Sequence, residues 1–238
     1  MKKYISVFSL IARNSIYRIV GLLLLLVVAD CVLAWYWISV LGYDLSNLFR
    51  NGNGGFGIAL AVIFAAIAVV QLRRGDMYSG AQGYTMQRLA ISEKAVALLQ
   101  ILYHILCWLI LWGVQVLTIF LICNAYYRFG LGNPLTRQYI FHLFYISPLL
   151  HSLLPMEETL VWITNAAMVV GISVATTDGM IRRRGKKPAG EVIPVIFLVI
   201  VIFRRELGSF FFNVMTALGY LALTVICGYR IFFRKKEV

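Results

Sequence analysis

The strongest constraint on this chain comes from its long, continuous apolar segments, which are separated by short stretches rich in lysine and arginine. Hydrophobic residues make up 61% of the 238 residues and charged residues 13%, whereas soluble domains are about 45–50% apolar and about 25% charged. A soluble fold of this length has no interior large enough for so much apolar surface, so the solvent has to be a bilayer. In lipid the backbone must satisfy its own hydrogen bonds, which leaves helices or a closed barrel. Because the apolar runs are continuous rather than alternating, the sequence predicts an all-α polytopic membrane protein.

Six of these segments predict transmembrane helices within a single domain that covers residues 1–238. A helix needs about 20 residues to cross a hydrocarbon core of about 30 Å. The fifth segment is the shortest, and it crosses only if Arg204 and Arg205 extend their side chains to an interface. Otherwise it forms a re-entrant half-helix. The predicted spans cover about residues 16–41, 55–72, 95–123, 158–177, 190–205 and 208–231.

The distribution of basic residues predicts that both termini lie in the cytoplasm, as in a multi-pass protein of the cytoplasmic membrane. With six spans, all but five of the 22 lysines and arginines fall on the cytoplasmic side. A five-span arrangement would place the last basic cluster, Arg230 to Lys236, outside and would remove this asymmetry. The five residues predicted to lie outside are Arg50, Arg128, Arg137, Arg204 and Arg205.

Two segments are predicted to lie on the membrane rather than across it. Residues 1–17 carry basic and hydroxyl side chains on one helical face and apolar side chains on the rest, the pattern of an amphipathic interfacial helix. A short disordered lead-in is the alternative.

Residues 126–155, between spans three and four, are too apolar and aromatic for a disordered loop. We expect them to form a helical interfacial or re-entrant pair, divided at Pro148, that caps the outer face; a dimer contact is the other interpretation.

Several classes of function lack the residues that they require. The net charge of +12 would suggest nucleic acid in a soluble protein, but here the basic residues flank apolar spans, so no nucleic-acid partner is expected. The nearest approach to a phosphate-binding loop, Gly179–Lys187, has the wrong spacing and no hydroxyl for magnesium. The three histidines lack metal-ligand spacing, the four cysteines form no C-x-x-C pair, and no G-x-S-x-G elbow occurs. The sequence therefore predicts no catalytic residues, no metal site and no cofactor bound by this chain.

Polar residues inside the predicted spans are candidates for a substrate pathway. Asp30 lies near the middle of the first span, where a charged side chain costs about 2.5–3.5 kcal/mol. Such residues usually face the helix bundle or a wet cavity. Gln100, His104 and Gln115 on the third span could supply a partner for Asp30. A structural polar clamp and a pathway role are both open for Asp30, whereas His104 is expected to be structural.

The adjacent acids Glu157 and Glu158 form a second candidate, at the outer start of the fourth span. Neighbouring residues on a helix point about 100° apart, so the two carboxylates do not face each other. Acidic residues stabilise a helix N-terminus, which gives this pair a structural interpretation beside the pathway one.

The segment between spans two and three carries a family pattern. Shortly before the third span the chain has Tyr84, Leu89, Ile91, Ser92 and Glu93, with Ala90 at a position where proline is common. This resembles the Y-x-x-x-x-L-P-[IV]-S motif of the membrane permeases of type-2 ATP-binding-cassette (ABC) exporters. Six spans, inside termini, a basic amphipathic lead-in and the absence of an ATPase motif are also similar to that family.

The resemblance implies a mechanism that depends on partners. In such exporters a short helix in this loop docks in a groove of a separate ABC ATPase subunit, which binds ATP and Mg²⁺. Here the docking surface would lie within Asp76–Arg88, and Ser92 would cap the third span. An ordinary interfacial loop is the alternative. The second permease would be another copy of this chain or a homologue. The implied coupling residues are Asp76, Tyr84, Arg88, Leu89, Ser92 and Glu93.

The expected function is therefore export of an amphipathic substrate, such as a peptide, lipid or drug, by a chain that is not itself an enzyme. The alternative is a non-transporting membrane module, for instance an immunity, sensor or assembly factor, with no ATPase partner. A membrane enzyme that acts through Asp30, His104 or the Glu157–Glu158 pair ranks third.

Overall fold

A computed structural model of the chain describes residues 2–13, 15–51, 53–72, 92–128, 142–145, 147–155, 158–184 and 210–233. Within these ranges all regular secondary structure is helical. The helices are α1 (Lys2–Arg13), α2 (Ile16–Ser39), α3 (Leu45–Asn51), α4 (Asn53–Leu72), α5 (Glu93–Arg128), α6 (Pro148–Leu153), α7 (Thr159–Arg184) and α8 (Phe210–Phe233).

Five of these helices, α2, α4, α5, α7 and α8, are long and apolar enough to span a bilayer. The predicted all-α fold is thereby confirmed for the described residues, and five of the six predicted spans coincide with one of these helices. The predicted fifth span, residues 190–205, lies outside them. Two boundaries differ from the prediction. The second span begins at Asn53 rather than at 55, and α7 continues to Arg184, about two turns beyond the predicted end at 177.

Contacts between side chains give the direction of each helix relative to its neighbours. We call the end of the bundle at which α2 begins the inner end, and the opposite end the outer end. α5 runs parallel to α2. The hydroxyls of Ser15, just before α2, and Tyr103 on α5 lie 2.6 Å apart near the inner end, and further along both helices Asp30 lies next to Gln115. α7 runs antiparallel to α5, because the rings of Trp112 and Trp162 stack 5.9 Å apart near the start of α7. Close to the other end of α7, Thr176 contacts the imidazole of His104.

α7 and α8 run parallel to each other along a close interface. Near the outer end the Thr164 hydroxyl donates to the carbonyl of Asn213, at 3.3 Å. Near the inner end Asp178 Oδ2 lies 3.7 Å from an Arg230 guanidinium nitrogen. Between these contacts, a Cβ added at Gly171 would lie 3.1 Å from the Tyr220 carbonyl oxygen. A residue without a side chain lets the two backbones approach closely, as is common between helices in membranes.

The N-terminal helix α1 packs on protein as well as facing outward. Val7 and Ile11 are buried, and the Phe8 ring meets Tyr103 edge-on with centroids 6.0 Å apart. Tyr4 and Ile5, nearer the start of the helix, are exposed. The predicted amphipathic helix is present, but it ends at Arg13 and part of its apolar surface contacts α5 rather than lipid.

The outer segment is inserted among the spanning helices. Residues 142–145 form a helical turn, and α6 follows with five buried residues, Leu149 to Leu153. The Ser147 hydroxyl caps α6 by accepting from the Leu150 N–H, and Pro148 occupies the first helical position, where its missing donor costs nothing. A helical structure after Pro148 was predicted; its burial inside the bundle was not. Residues 129–141 lie outside the described residues.

Candidate functional site

An apolar pocket lies at the centre of the bundle. Its volume is about 40 Å³, and α4, α5, α6 and α7 all contribute to its wall. The Phe64 and Trp108 rings stack against each other with centroids 4.4 Å apart, which fixes one side of this wall. Among the residues that the structure describes, those lining the pocket carry no charge. The nine residues of this central pocket are Leu60, Phe64, Trp108, Leu111, Trp112, Leu153, Met168, Val169 and Ile172.

α6 lies at the outer end of the central pocket, where Leu153 forms part of the wall. The last two backbone carbonyls of α6 accept side-chain hydrogen bonds, from Asn165 Nδ2 to Ser152 at 2.8 Å and from Trp112 Nε1 to Leu153 at 2.7 Å. Trp162 Nε1 donates to the carbonyl of Pro155, two residues further on, at 2.6 Å. The last carbonyls of a helix have no partner within the helix. Donors from α5 and α7 satisfy them here, so α6 is held in place from both sides.

A polar cluster lies on the inner side of the central pocket. His104 Nδ1 is 3.0 Å from Thr176 Oγ1 and 3.1 Å from Thr177 Oγ1, and all three side chains are fully buried. We call these three residues the His104 cluster. His104 precedes Trp108 by four residues on α5, and Thr176 follows Ile172 by four residues on α7. Residues four apart are neighbours on one helix face, so the cluster lies one turn inward of the pocket on both helices.

Asp30 and Gln115 form a separate buried pair between α2 and α5. Gln115 is the side chain that interacts with the Asp30 carboxyl, and neither residue has any exposed surface. Neither carboxyl oxygen of Asp30 and neither amide atom of Gln115 makes a hydrogen bond of ordinary length and angle within the described residues. Buried polar groups left in this condition lower the free energy of unfolding by about 1–3 kcal/mol each.

The predicted pathway residues are thus divided among several places. Asp30 lies next to Gln115, one of the three partners considered, while His104 contacts the α7 threonines. Gln100 is buried, and its Oε1 has no hydrogen-bond partner in the part of the chain that the structure describes. Glu158 Oε1 lies 3.8 Å from His151 Nε2 at the outer end. Glu157 lies outside the described residues.

Two of the predicted coupling residues can be located. Ser92 is the N-cap of α5, as predicted, because its hydroxyl accepts from the Ala95 N–H at 3.3 Å. Glu93 is the exposed first residue of α5. A negative charge at the N-terminus of a helix stabilises it. The other coupling residues, Asp76, Tyr84, Arg88 and Leu89, lie outside the described residues.

Sequence reasoning missed the central pocket and the α7 half of the His104 cluster. Trp108 and Trp112 are four residues apart, a spacing that signals one aromatic face on α5. Thr176 and Thr177 are adjacent hydroxyl residues in an apolar span, and interhelical polar contacts commonly use such residues. It also missed the ion pair between Asp178 and Arg230. Among the described residues, no group of three His, Cys, Asp or Glu side chains could hold a metal ion.

Comparisons with protein-family models, with curated proteins and with solved structures found no match to this chain.

Proposed function

We propose that this chain is the transmembrane subunit of an ATP-driven exporter of the ABC type, and that it moves an amphipathic substrate, such as a peptide, lipid or drug, across the cytoplasmic membrane. The observation that carries the proposal is the order of polar and apolar surfaces from the outer to the inner end of the bundle. An apolar pocket between four helices lies next to a buried polar cluster on its inner side and beneath an inserted segment on its outer side. An amphipathic molecule requires both kinds of surface, and pockets between helices of a bundle are common ligand sites.

The proposal includes six spans with both termini on the cytoplasmic side. Its support is the parallel arrangement of α7 and α8. Because both helices run from the outer to the inner end, we propose that the chain between them returns to the outer end through a sixth span. One crossing, by the predicted span 190–205, together with the five described spans makes six. The start of α2 and the end of α8 then lie on the same side, where most lysines and arginines are expected.

The ATPase partner is proposed to bind at the inner end, between α4 and α5. α4 begins beside the outer half of α2, because a Cβ added at Gly55 would lie 3.7 Å from the Leu33 side chain. Its end at Leu72 therefore lies toward the inner end of the bundle, as does the start of α5 at Glu93. α5 has 36 residues and is therefore about 54 Å long, which exceeds a hydrocarbon core of about 30 Å. A rigid helix of this length can carry a movement at the membrane surface into the bundle. ATP and Mg²⁺ belong to the partner subunit, and a second permease, identical or homologous, completes the assembly.

The experiment that tests this proposal combines co-purification with charge reversal. A tagged chain purified from its native membrane is expected to recover an ATPase that contains a P-loop. We expect the double variant Arg88→Glu and Glu93→Lys to lower substrate-stimulated ATP hydrolysis at least about tenfold. Each reversed charge would repel the residue of the ATPase that the original charge attracts. Arg128→Glu, at the outer end of the same helix, is the control and should change nothing. Recovery of the chain without any ATPase would refute the proposal.

A non-transporting ligand sensor is the second candidate. The small volume of the central pocket favours it, since a sensor needs a site but no passage large enough for a substrate to cross. The same co-purification decides between the two, because a sensor of this kind has no ATPase partner.

A further inference from the structure

We propose that Asp30 of α2 and Gln115 of α5 form a proton-binding site near the middle of the membrane, in which the Asp30 carboxyl is neutral while these two helices are packed together. We call the two residues the acid–amide pair. The inference goes beyond the proposed export function and does not depend on it, because the whole site lies within this chain.

The acid–amide pair lies at membrane depth and is enclosed on all sides. Asp30 is about 21 Å from the start of α2 and about 14 Å from its end, at about 1.5 Å per residue. Neither Asp30 nor Gln115 has any exposed surface. Ionised side chains at such a depth almost always pair with an opposite charge or face a water-filled cavity. Among the described residues no lysine, arginine or histidine forms an ion pair with Asp30. The enclosure therefore favours the neutral form of the carboxyl.

The neighbouring amide is complementary to a neutral acid and not to a carboxylate. Both carboxyl oxygens of Asp30 and both amide heavy atoms of Gln115 lack a hydrogen bond of ordinary geometry within the described residues. An ionised carboxylate only accepts hydrogen bonds, so it cannot donate to the amide oxygen. A neutral carboxyl both donates and accepts, as a primary amide does. Buried polar groups without partners call for an explanation such as a bound ion, and a proton is the ion that makes these two groups complementary.

The size of the site also indicates a proton. A water molecule needs a cavity of at least about 10–15 Å³, whereas a proton adds no volume to an enclosed carboxyl. Calcium and magnesium take about six or more oxygen ligands. The acid–amide pair supplies only the two carboxyl oxygens of Asp30 and the amide oxygen of Gln115.

Within the described residues, the helices that pack on α2 bring no charge to the acid–amide pair. α4 has no titratable residue. The nearest titratable residues on α5 are Cys107 and Cys123, each about 12 Å from Gln115 along the helix. α1 and α3 also contact α2, but α1 lies against α5 at the inner end and α3 lies against the start of α4 at the outer end. The other titratable residues of α2 are Tyr17, Arg18, Cys31 and Tyr36.

Loss of the proton would consequently have a structural effect. Of the titratable residues on α2, only the exposed thiol of Cys31 lies within one turn of Asp30. A negative charge formed at Asp30 would thus lie between α2 and α5 without a counter-ion, which is unfavourable in a buried position. We therefore expect the carboxyl to hold its proton at neutral pH and to lose it only as the pH is raised and the two helices separate.

Infrared difference spectroscopy of the purified full-length chain in nanodiscs tests the protonation directly, because the C=O band of a neutral carboxyl is distinct from the bands of carboxylates. The unaltered chain should show this band at neutral pH, and Asp30→Asn should lose it. Asp44→Asn is the matched control, because it removes an exposed carboxyl just beyond the outer end of α2 and should keep the band. Identical spectra of the unaltered chain and Asp30→Asn in this region would overturn the proposal.

A second measurement needs no variant and so does not depend on the folding of Asp30→Asn. The chain has four aspartates, whose carboxyl carbons can be labelled with ¹³C and observed by solid-state NMR. One of the four signals should have the chemical shift of a neutral acid at neutral pH, and it should show a contact with labelled glutamine. Four carboxylate signals at neutral pH would refute the site. The aspartates are Asp30, Asp44, Asp76 and Asp178.

A pair of glutamine variants tests the contribution of the amide. Gln115→Leu should shift the Asp30 C=O band to higher wavenumber, because the carbonyl loses its hydrogen-bond donor. Gln100→Leu makes the same change at another buried glutamine of α5, about 22 Å away along the helix, and should leave the band in place. The same band position in Gln115→Leu and Gln100→Leu would contradict the acid–amide pair.

Titrations in two salts identify the ligand, and they also separate this inference from the proposed export function. The pH at which the C=O band disappears should be the same in sodium chloride and in choline chloride. Disappearance at a lower pH in sodium alone would show a competing metal ion and overturn the assignment to a proton. A neutral Asp30 in a chain that recovers no ATPase would support the site and refute export. Recovery of an ATPase by a chain with an ionised Asp30 would support export and refute the site.

Discussion

The interface between α7 and α8 gives the most quantitative prediction, through Gly171. An added Cβ at this position would lie 3.1 Å from Tyr220 Cδ1, 3.1 Å from the Tyr220 carbonyl oxygen and 3.3 Å from Thr224 Oγ1. The two side-chain atoms can move by a few tenths of an ångström, but the carbonyl belongs to the α8 backbone. A methyl group here therefore has to shift the helix, and overpacking of this kind costs about 1–3 kcal/mol.

The opposing term is helix propensity, which favours alanine over glycine by up to about 1 kcal/mol. Gly219, on α8, isolates this term because a Cβ added there meets no atom within 4 Å. We expect Gly219→Ala to leave the free energy of unfolding unchanged or to raise it by up to about 1 kcal/mol. Gly171→Ala should be less stable than Gly219→Ala by about 1–3 kcal/mol, the steric cost alone.

The assay is reversible unfolding of the purified chain in mixed micelles as the fraction of a denaturing detergent is raised, followed by circular dichroism. Gly171→Leu extends the series, because its larger side chain should lower stability further or prevent folding. If Gly171→Ala proves as stable as Gly219→Ala, then α7 and α8 do not pack at this register. The parallel arrangement, and with it the support for a sixth crossing, would be refuted.

Three further predictions concern other parts of the bundle. Asp30→Leu should raise the free energy of unfolding by about 1–3 kcal/mol in the same assay, because it removes a buried carboxyl without hydrogen bonds of ordinary geometry; a loss of stability would show that the carboxyl is a structural clamp. Trp112→Phe removes one of the bonds that hold α6 and should cost about 1 kcal/mol. We expect Ser152→Cys to react faster with a water-soluble maleimide when it is combined with Trp112→Phe than when it is made alone. An equal rate would contradict the role of α6 as a cover of the outer end. Cysteines at Lys94→Cys and Lys186→Cys should react from the same side of the membrane; labelling from opposite sides would remove the six-span arrangement.

The existence of the spans and the cap on α5 followed from the sequence because they depend on local properties. Segment length and apolar content are sufficient to require a helix in lipid. In the same way Ser92 has the side chain that accepts from the third N–H of a helix, wherever the rest of the chain lies. Of the three candidate partners on the third span, Gln115 lies next to Asp30, but the two make no hydrogen bond of ordinary geometry. Helical spacing identified the face of α5 that carries the candidate partners, but not how far along α5 the Asp30 side chain lies.

Only the tertiary structure decided which sides of the helices meet. In a soluble protein the buried face of a helix is apolar and the exposed face polar, so the sequence reports burial. In a membrane both faces are apolar. Leu109 is exposed and Leu111 is buried in the pocket wall, although both are leucines on the same helix. Association in lipid depends instead on close packing and a few polar contacts. The parallel register around Gly171 and the position of Trp108 beside the His104 cluster therefore had no signature that the sequence alone could supply.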